Sequence, residues 1–320
     1  MERINYHGWP DSRRLHNDTV EVVLLAAVGP RLIRFGFLGQ ENEFKEYPES
    51  AGQSGGNEWR IYGGHRLWHA PESNPRTYLP DNGPVEVEEH RDFVRLIQPT
   101  EPGTGIQKEI DVHLAPKGAR VQVTHRLRNQ GPWPVRLAPW AISVMAPGGC
   151  AIAPLPPYGE HGAHLLPTRS LALWPYTDMQ DARWHWGTRH LLLRQDPQAA
   201  APQKAGLNTP EGWVAYARNG HLFVKKFAYF RDGVYPDLGS SVELFTNAEM
   251  LEVETLGPLV ELAPGGQVEH VERWFLFSGV RPPASDAEVE AEVLPRVREN
   301  WRAFQVVSSD EAVRPRAHGG

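Results

Sequence analysis

The sequence predicts an all-β protein: one large antiparallel β-sandwich with a single C-terminal helix. Three observations predict it. Short segments with an apolar residue at every second position recur between Val20 and Phe277, the period of a strand with one buried face. Glycine (30 residues) and proline (29) are abundant without any repeat, which suits many turns between short strands rather than long helices. Helical spacing occurs in one late segment alone.

The elements follow in chain order. Residues 1–19 form an N-terminal extension and 20–280 the sandwich. Val20–Leu25 and Arg31–Phe37 flank Val28-Gly29-Pro30 and read as a hairpin. Residues 92–98 make a short strand. Ile106–Leu114 puts Ile106, Ile110, Val112 and Leu114 on one parity. A turn through Pro116 and Gly118 returns into a strand with Val121, Val123, His125 and Leu127 alternating. Val135–Met145 is an apolar run closed by Pro147-Gly148-Gly149. Residues 150–212 carry many prolines between Trp174, Trp184 and Trp186 and read as long ordered loops over the end of a sheet, with His190–Arg194 the one strand among them. Strands resume at 212–217, 221–230, 241–245, 250–254 and 270–277. A helix over 287–304, within a C-terminal unit of 281–306, is capped by Ser285 and Asp286. It carries Val289, Val293, Val297 and Trp301 at four-residue spacing, with Pro295 expected to kink or divide it. Residues 307–320 read as a flexible tail.

Composition excludes several classes. A formal charge of -6 and a pI near 6.2 argue against a nucleic-acid partner. The one cysteine, Cys150, rules out an internal disulfide and a cysteine metal cluster. No segment approaches the roughly 18 apolar residues of a membrane span, and the first residues lack a signal-like apolar stretch, so a cytoplasmic protein is expected. No phosphate loop, serine-hydrolase elbow or dinucleotide fingerprint is present. No cofactor is expected, and no metal: His65 and His69 have helical ligand spacing, but Gly63-Gly64 and Pro71 oppose a helix there.

The chemically informative stretch is LFTNAEMLEVETLGPLVELAPGGQVEHVERWFLF, residues 244–277, which sets Glu254 inside an alternating apolar strand. A carboxylate on the face of a sheet is costly unless paired or used. Its structural alternative is a salt-bridged sheet acid, paired with Arg31 or Arg273. His65, Arg66 and His69 form the best polar cluster, able to line one pocket if their segment is a loop. Asn82 lies in a strong turn signal beside Asp81. Of Lys225 and Lys226, one must face inward and needs a carboxylate, with Asp237 and Glu243 near in sequence. Trp186, beside Trp184, offers a flat edge for stacking on a sugar, or packs a loop.

Four segments in order resemble the galactose mutarotase-like (aldose 1-epimerase) superfamily. They are VEVVLLAAVGPRLIRFGFLGQENEF (20–44), GGHRLWHAPE (63–72), LPDNGPVEVEEHRDFVRL (79–96) and LEVETLGPLVELAPGGQVEH. The pattern is most similar to an uncharacterised bacterial branch of that superfamily. The resemblance implies a large antiparallel β-supersandwich and, at the position of Glu254, the general base that takes the anomeric hydroxyl proton. The superfamily's acid histidine is expected within residues 139–145, where this chain has none and Ser143 is the nearest polar residue. Its upstream His-Gly pair is replaced by Asn82-Gly83.

The combined expectation is a carbohydrate-active protein, an isomerase of the aldose 1-epimerase type, acting on a sugar in a groove of the sandwich as monomer or homodimer. Glu254 is the expected base and His65 or His69 the acid; Arg66, Asn82, Lys226, Asp237, Glu243 and Trp186 are the expected sugar contacts. Two alternatives stand beside it: a carbohydrate-binding protein that kept the groove and lost the acid, and a different epimerase or lyase step on the same scaffold. The missing histidine favours the alternatives; Glu254 with the His65–His69 cluster favours an enzyme.

Overall fold

The computed structural model describes residues 1–163 and 165–299. It contains strands β1 (Glu2–Tyr6), β2 (Trp9–His16), β3 (Val20–Leu25), β4 (Arg31–Phe37), β5 (His65–Ala70), β6 (Glu86–Glu89), β7 (Val94–Ile97), β8 (Ile106–Leu114), β9 (Arg120–Asn129), β10 (Val135–Met145) and β11 (Cys150–Pro154). These are followed by β12 (Leu171–Leu173), β13 (Trp184–Trp186), β14 (His190–Arg194), β15 (Gln203–Leu207), β16 (Trp213–Arg218), β17 (His221–Phe227), β18 (Val242–Thr246), β19 (Leu251–Leu256), β20 (Val260–Leu262) and β21 (Gln267–Ser278). Two antiparallel sheets face each other. The first runs β1-β2-β3-β4-β5-β10-β19-β18-β15-β12, with β20 also paired to β10; the second runs β13-β14-β11-β16-β17-β21-β9-β8-β7-β6.

Alternation explains why the sheets stack. Leu67, Val253, Leu244 and Ala205 of the first sheet and Val123, Leu127, Tyr216, Phe223 and Trp274 of the second meet in one apolar layer. The outer face of the second sheet is covered by the C-terminal helix, through Val289, Val293, Leu294 and Val297 against Trp213, Ala215, Val224 and Phe275. Burying each such aliphatic side chain stabilises the helix by roughly 2 kcal/mol. Ser285 caps it by accepting from the Glu288 amide. Pro295 does not break it: the turn Val289–Val293 just before it is a widened π turn, followed by Leu294–Glu299. Trp301 and the tail lie outside the described residues.

Two expectations need correction. The N-terminal extension is sheet: β1 pairs with β2 and β2 with β3. Its ladder carries ion pairs such as Arg14–Glu21 (2.7 Å) instead of apolar alternation, and Arg13–Glu89 (2.8 Å) ties β2 to β6 of the second sheet. Residues 150–212 also hold more than one strand. β11, β12, β13 and β15 lie there beside β14, and β15 continues the first sheet next to β18.

Gly63 and Gly64, just before β5, have φ of +87° and +69°. A Cβ would lie 2.1 Å from the Lys45 carbonyl oxygen at the first and 2.4 Å from that of Leu32 at the second. Only glycine fits this close crossing of backbones, and the crossing sets the phase with which β5 enters the sheet.

Candidate active site

The register of the first sheet builds the site. Arg31, Arg66, Ile142, Glu254, Glu243 and Gly206 stand opposite one another across β4, β5, β10, β19, β18 and β15. Directly opposed residues share a face, here the one turned away from the sandwich core. A second row on that face is Trp68, Trp140 and Leu256; a third is Val144, Glu252, Phe245 and Lys204.

Three carboxylates and two cations meet there. The Lys204 ammonium lies 2.8 Å from Glu243 Oε2 and 3.2 Å from Glu254 Oε2, so it bridges the two acids. The Trp140 indole N–H donates to the same Glu254 oxygen at 2.7 Å. Glu254 Oε1 and Glu243 Oε1 have no partner. Arg66 Nη2 donates to Glu252 at 3.0 Å, while its Nε and Nη1 are unpartnered. Glu243 and Glu254 are both fully buried. Burial, reinforced by the neighbouring Glu254 charge, holds the Glu243 carboxyl well above the ordinary carboxylate range despite Lys204. Burial also raises Glu252, against the pull of Arg66. For Lys204, burial disfavours the ammonium, but Glu243 and Glu254 outweigh it and hold its pKa well above the usual value. Burial thus favours the protonated form of Glu243 more than that of an ordinary carboxyl.

Aromatic rings surround these charges. Trp68 packs against Trp140 (5.4 Å between centroids), Trp59 (5.5 Å) and Tyr78 (5.1 Å). The Arg66 guanidinium lies 4.5 Å from the centre of the Trp68 ring, and Lys204 Nζ lies 4.9 Å and 4.7 Å from those of Trp140 and Trp174. Such contacts favour the cations where water is excluded. Trp59 Nε1 is buried without a partner. Arg31, at the end of the polar row, is held by Asp81 at 2.6 Å.

The structure distributes the expected residues unequally. Glu254, Arg66 and Glu243 share the face just described, and Asp237 lies beside it, where its charge reaches Glu243. Asp237 and Leu238 have φ of +48° and +60°, a left-handed turn between β17 and β18. Asn82 is buried and holds the loop that carries Trp59, donating to the Gly56 and Glu58 carbonyls. His65 and His69 do not join Glu254. Their segment is strand β5, in which they alternate with Arg66, so both point to the opposite face. The expected shared pocket of His65, Arg66 and His69 is thus replaced by a division across the sheet. Lys226 lies under the C-terminal helix, donating to the Val297 carbonyl at 2.6 Å. Lys225 is the inward lysine, and its carboxylate is Glu272 at 3.0 Å, not Asp237 or Glu243. Trp186 stacks on Trp184 in the second sheet, at 4.9 Å, and donates to the Met179 carbonyl.

His65 belongs to a buried network between the sheets. Its Nδ1 meets Ser143 Oγ at 2.8 Å and its Nε2 meets His125 Nε2 at 2.6 Å. His125 Nδ1 donates to the His270 carbonyl at 2.9 Å. That chain fixes the tautomers: His125 accepts at Nε2, so His65 donates there and accepts from Ser143. Burial, aided by the nearby Lys225 charge, holds His65 well below the usual histidine range, so it is neutral. His65, His125 and Glu272 place three ligand atoms within 4.8 Å of one another. Lys225 and the Trp274 indole already occupy Glu272, however, at 3.0 and 2.7 Å.

Sequence reasoning missed Lys204, Trp140, Trp59 and Trp174. Lys204 had one usable signal: it alternates with Gly206 in a short segment between Pro202 and Pro210. Trp140 lay in plain view within Val135–Met145, opposite in parity to Ser143, the position first considered for an acid.

The fold is galactose mutarotase-like. A candidate aldose 1-epimerase from Klebsiella pneumoniae superposes with a TM-score of 0.56 at 14% identity, covering 93% of this chain and 86% of that one. A galactose mutarotase-like protein from Lactobacillus casei gives 0.53 at 10% identity, over 83% of this chain and all of the other. The Slr1438 protein from Synechocystis gives 0.54 at 12% identity, over 87% of this chain and all of its own. No family model matches the sequence, and no curated protein does. Among the described residues, no helix is long and apolar enough to cross a membrane.

Proposed function

We propose that this protein binds a sugar on the outer face of its first sheet and interconverts the sugar's anomers, with Glu254 as base and Glu243 as acid. The observation that carries the reading is the Lys204 bridge. It holds two buried carboxyls together, each with an unpartnered Oε1, in an environment that favours the protonated form of Glu243. Anomer exchange needs one group to take the anomeric hydroxyl proton and another to protonate the ring oxygen. Glu254 Oε1 accepts the first proton, Glu243 supplies the second, the C1–O5 bond breaks, and an open-chain aldehyde forms. Rotation about C1–C2 and the reverse transfers close the other anomer. Both carboxyls return to their starting states, so the cycle balances.

Arg66 and the tryptophans support the sugar class. Free Nε and Nη1 donors suit sugar hydroxyls, and the Trp59 and Trp68 rings offer flat apolar surfaces for the sugar's C–H face. Because Glu254 is fully buried, a sugar reaches it only when the cover formed by Trp59, Tyr78 and Trp174 opens. The likeness to candidate epimerases supports the substrate class through fold. One observation favours a non-catalytic sugar-binding protein instead: Ile142, not a histidine, stands opposite Glu254 in the ladder.

Saturation-transfer NMR on a panel of aldoses separates the two. The wild type is expected to accelerate exchange of at least one aldose, and Glu254→Gln to bind that sugar while losing exchange by about 10² or more. Binding without accelerated exchange by the wild type selects the binder. Neither binding nor exchange with any sugar rejects both.

A further inference from the structure

We infer a second ligand site, at the end of the sandwich around His69, for a small apolar molecule that carries one hydroxyl group. It lies on the opposite side of the first sheet from Glu254 and does not depend on the sugar reading.

The site is a cavity of about 440 Å³ between the two sheets, lined by His69, Pro75, Arg76, Leu79, Gly103, Thr104, Ile106, Val135 and Leu137. Strands β5, β8 and β10 supply its walls, and the loops at 75–79 and 103–104 roof it. Most of the lining is aliphatic. Two polar groups stand in that lining: the His69 ring, 1% exposed, with both nitrogens unpartnered, and Arg76, whose Nε is likewise buried without a partner. A buried polar ring without partners is rare in native structures and calls for an explanation. Every other histidine buried in the sandwich interior is hydrogen-bonded: His65 to Ser143 and His125, His125 to the His270 carbonyl, and His270 to Thr255. His69 stands apart, beside a cavity.

The surroundings fix what the ligand must offer. Burial holds the ring neutral, below the usual histidine range, so it has one N–H and one lone pair. Nε2 lies 3.7 Å from Glu101 Oε2, too far for a hydrogen bond. Glu101 is nonetheless anionic: burial opposes its charge, but Lys108 at 2.6 Å, the nearby His69 ring and the Thr104 hydroxyl, which donates to Oε2 at 2.6 Å, together outweigh this and bring its pKa to about 2. That negative oxygen draws the ring proton to Nε2 and leaves Nδ1 as an acceptor. The complementary ligand therefore donates to His69 and accepts from Arg76, as one hydroxyl group can. Carboxylates and ketones bring only acceptors at neutral pH. An alcohol or phenol brings a donor, and the aliphatic walls take its apolar body. The volume suits one or two rings, within the usual size of small-molecule sites.

The experiment uses three probes of matched shape on the full chain: 2-naphthol, 2-methoxynaphthalene and naphthalene, titrated calorimetrically. The site predicts that 2-naphthol binds about tenfold or more tightly than its methyl ether, because the ether leaves Nδ1 desolvated and unpaired. Replacing His69 by Phe is expected to abolish that preference while naphthalene still binds, and Leu79→Trp, which fills the roof, to weaken all three. Urea unfolding is the control and should show that both variants fold. Equal binding of naphthol and ether by the wild type overturns the inference, as does a naphthol preference that survives His69→Phe. Failure of all three probes to bind overturns it as well.

Discussion

Replacing Lys204 by Met is the sharpest perturbation of the charge cluster. At an effective dielectric of 20, the 3.2 Å contact with Glu254 corresponds to a Coulomb energy of about 5 kcal/mol, and the 2.8 Å contact with Glu243 to about 6 kcal/mol only when that carboxyl is ionised. Much of that is offset in the native protein by the desolvation of the ammonium, and in the variant by carboxyl protonation. The net loss should be about 3–5 kcal/mol at pH 8, the usual range when one partner of a buried pair is removed. The pH dependence has a definite sign. Glu243 already has a folded pKa above its ordinary 4.5, so the native state holds its proton more tightly than the unfolded chain. Stability from that source is fully present below about pH 4.5 and is lost as pH rises through the raised folded pKa. Without Lys204, the charge that pulls Glu243 downward is gone and the decline steepens. Urea unfolding at pH 5 and pH 8 measures it: the deficit of the variant should be clearly smaller at pH 5. A loss under about 1 kcal/mol, equal at the two pH values, would refute the claim that the ammonium neutralises buried carboxylates.

Other outcomes follow from the same geometry. Lys225→Met strands Glu272 between the sheets and should destabilise the protein by about 3–5 kcal/mol in chemical unfolding, without touching the outer face of the first sheet. Gly64→Ala places a Cβ 2.4 Å from a carbonyl oxygen at φ +69° and should lower stability by more than about 1 kcal/mol; a neutral result in thermal unfolding would contradict the close crossing before β5. Burial opposes the charges of Glu101 and Glu272, but Lys108 with His69 and Thr104 in the first case, and Lys225 with His125, His270 and Thr255 in the second, together outweigh it and bring the pKa values of both acids to about 2. Their contribution to stability is present above about pH 4.5 and lost as pH falls toward 2. Glu272→Gln should therefore flatten the acid limb of a Tm-against-pH curve.

The sequence spoke clearly where local pattern and tertiary role agree. Alternation in Ile106–Leu114 and Val135–Met145 defined β8 and β10, and an acid among apolar neighbours marked Glu254. It was silent where strands are held by something other than apolar alternation. β1 is an edge strand of the first sheet and β2 its neighbour, both laced by Arg–Glu pairs, so their pattern reads as polar. β15 is short, lies between prolines and contains Lys204, whose value depends on two acids about forty and fifty residues downstream. His65 and His69 show the effect of parity. Read as loop residues they share a pocket with Arg66; as strand residues they face the other way. The Gly63-Gly64 pair, which opposed a helix, allows the close crossing that leads into the strand. Trp140 shows the limit of composition: the ring is legible in the chain, but its bond to Glu254 depends on register between β10 and β19.

The division of labour between Glu243 and Glu254 is tested most directly by the pH profile of anomer exchange in the wild type and in Glu243→Gln. The account predicts a wild-type profile that falls at high pH as Glu243 loses its proton, and a Glu243→Gln variant slowed by about 10² or more with that limb gone. A Glu243→Gln protein that exchanges anomers at the wild-type rate, with the high-pH fall intact, would contradict it.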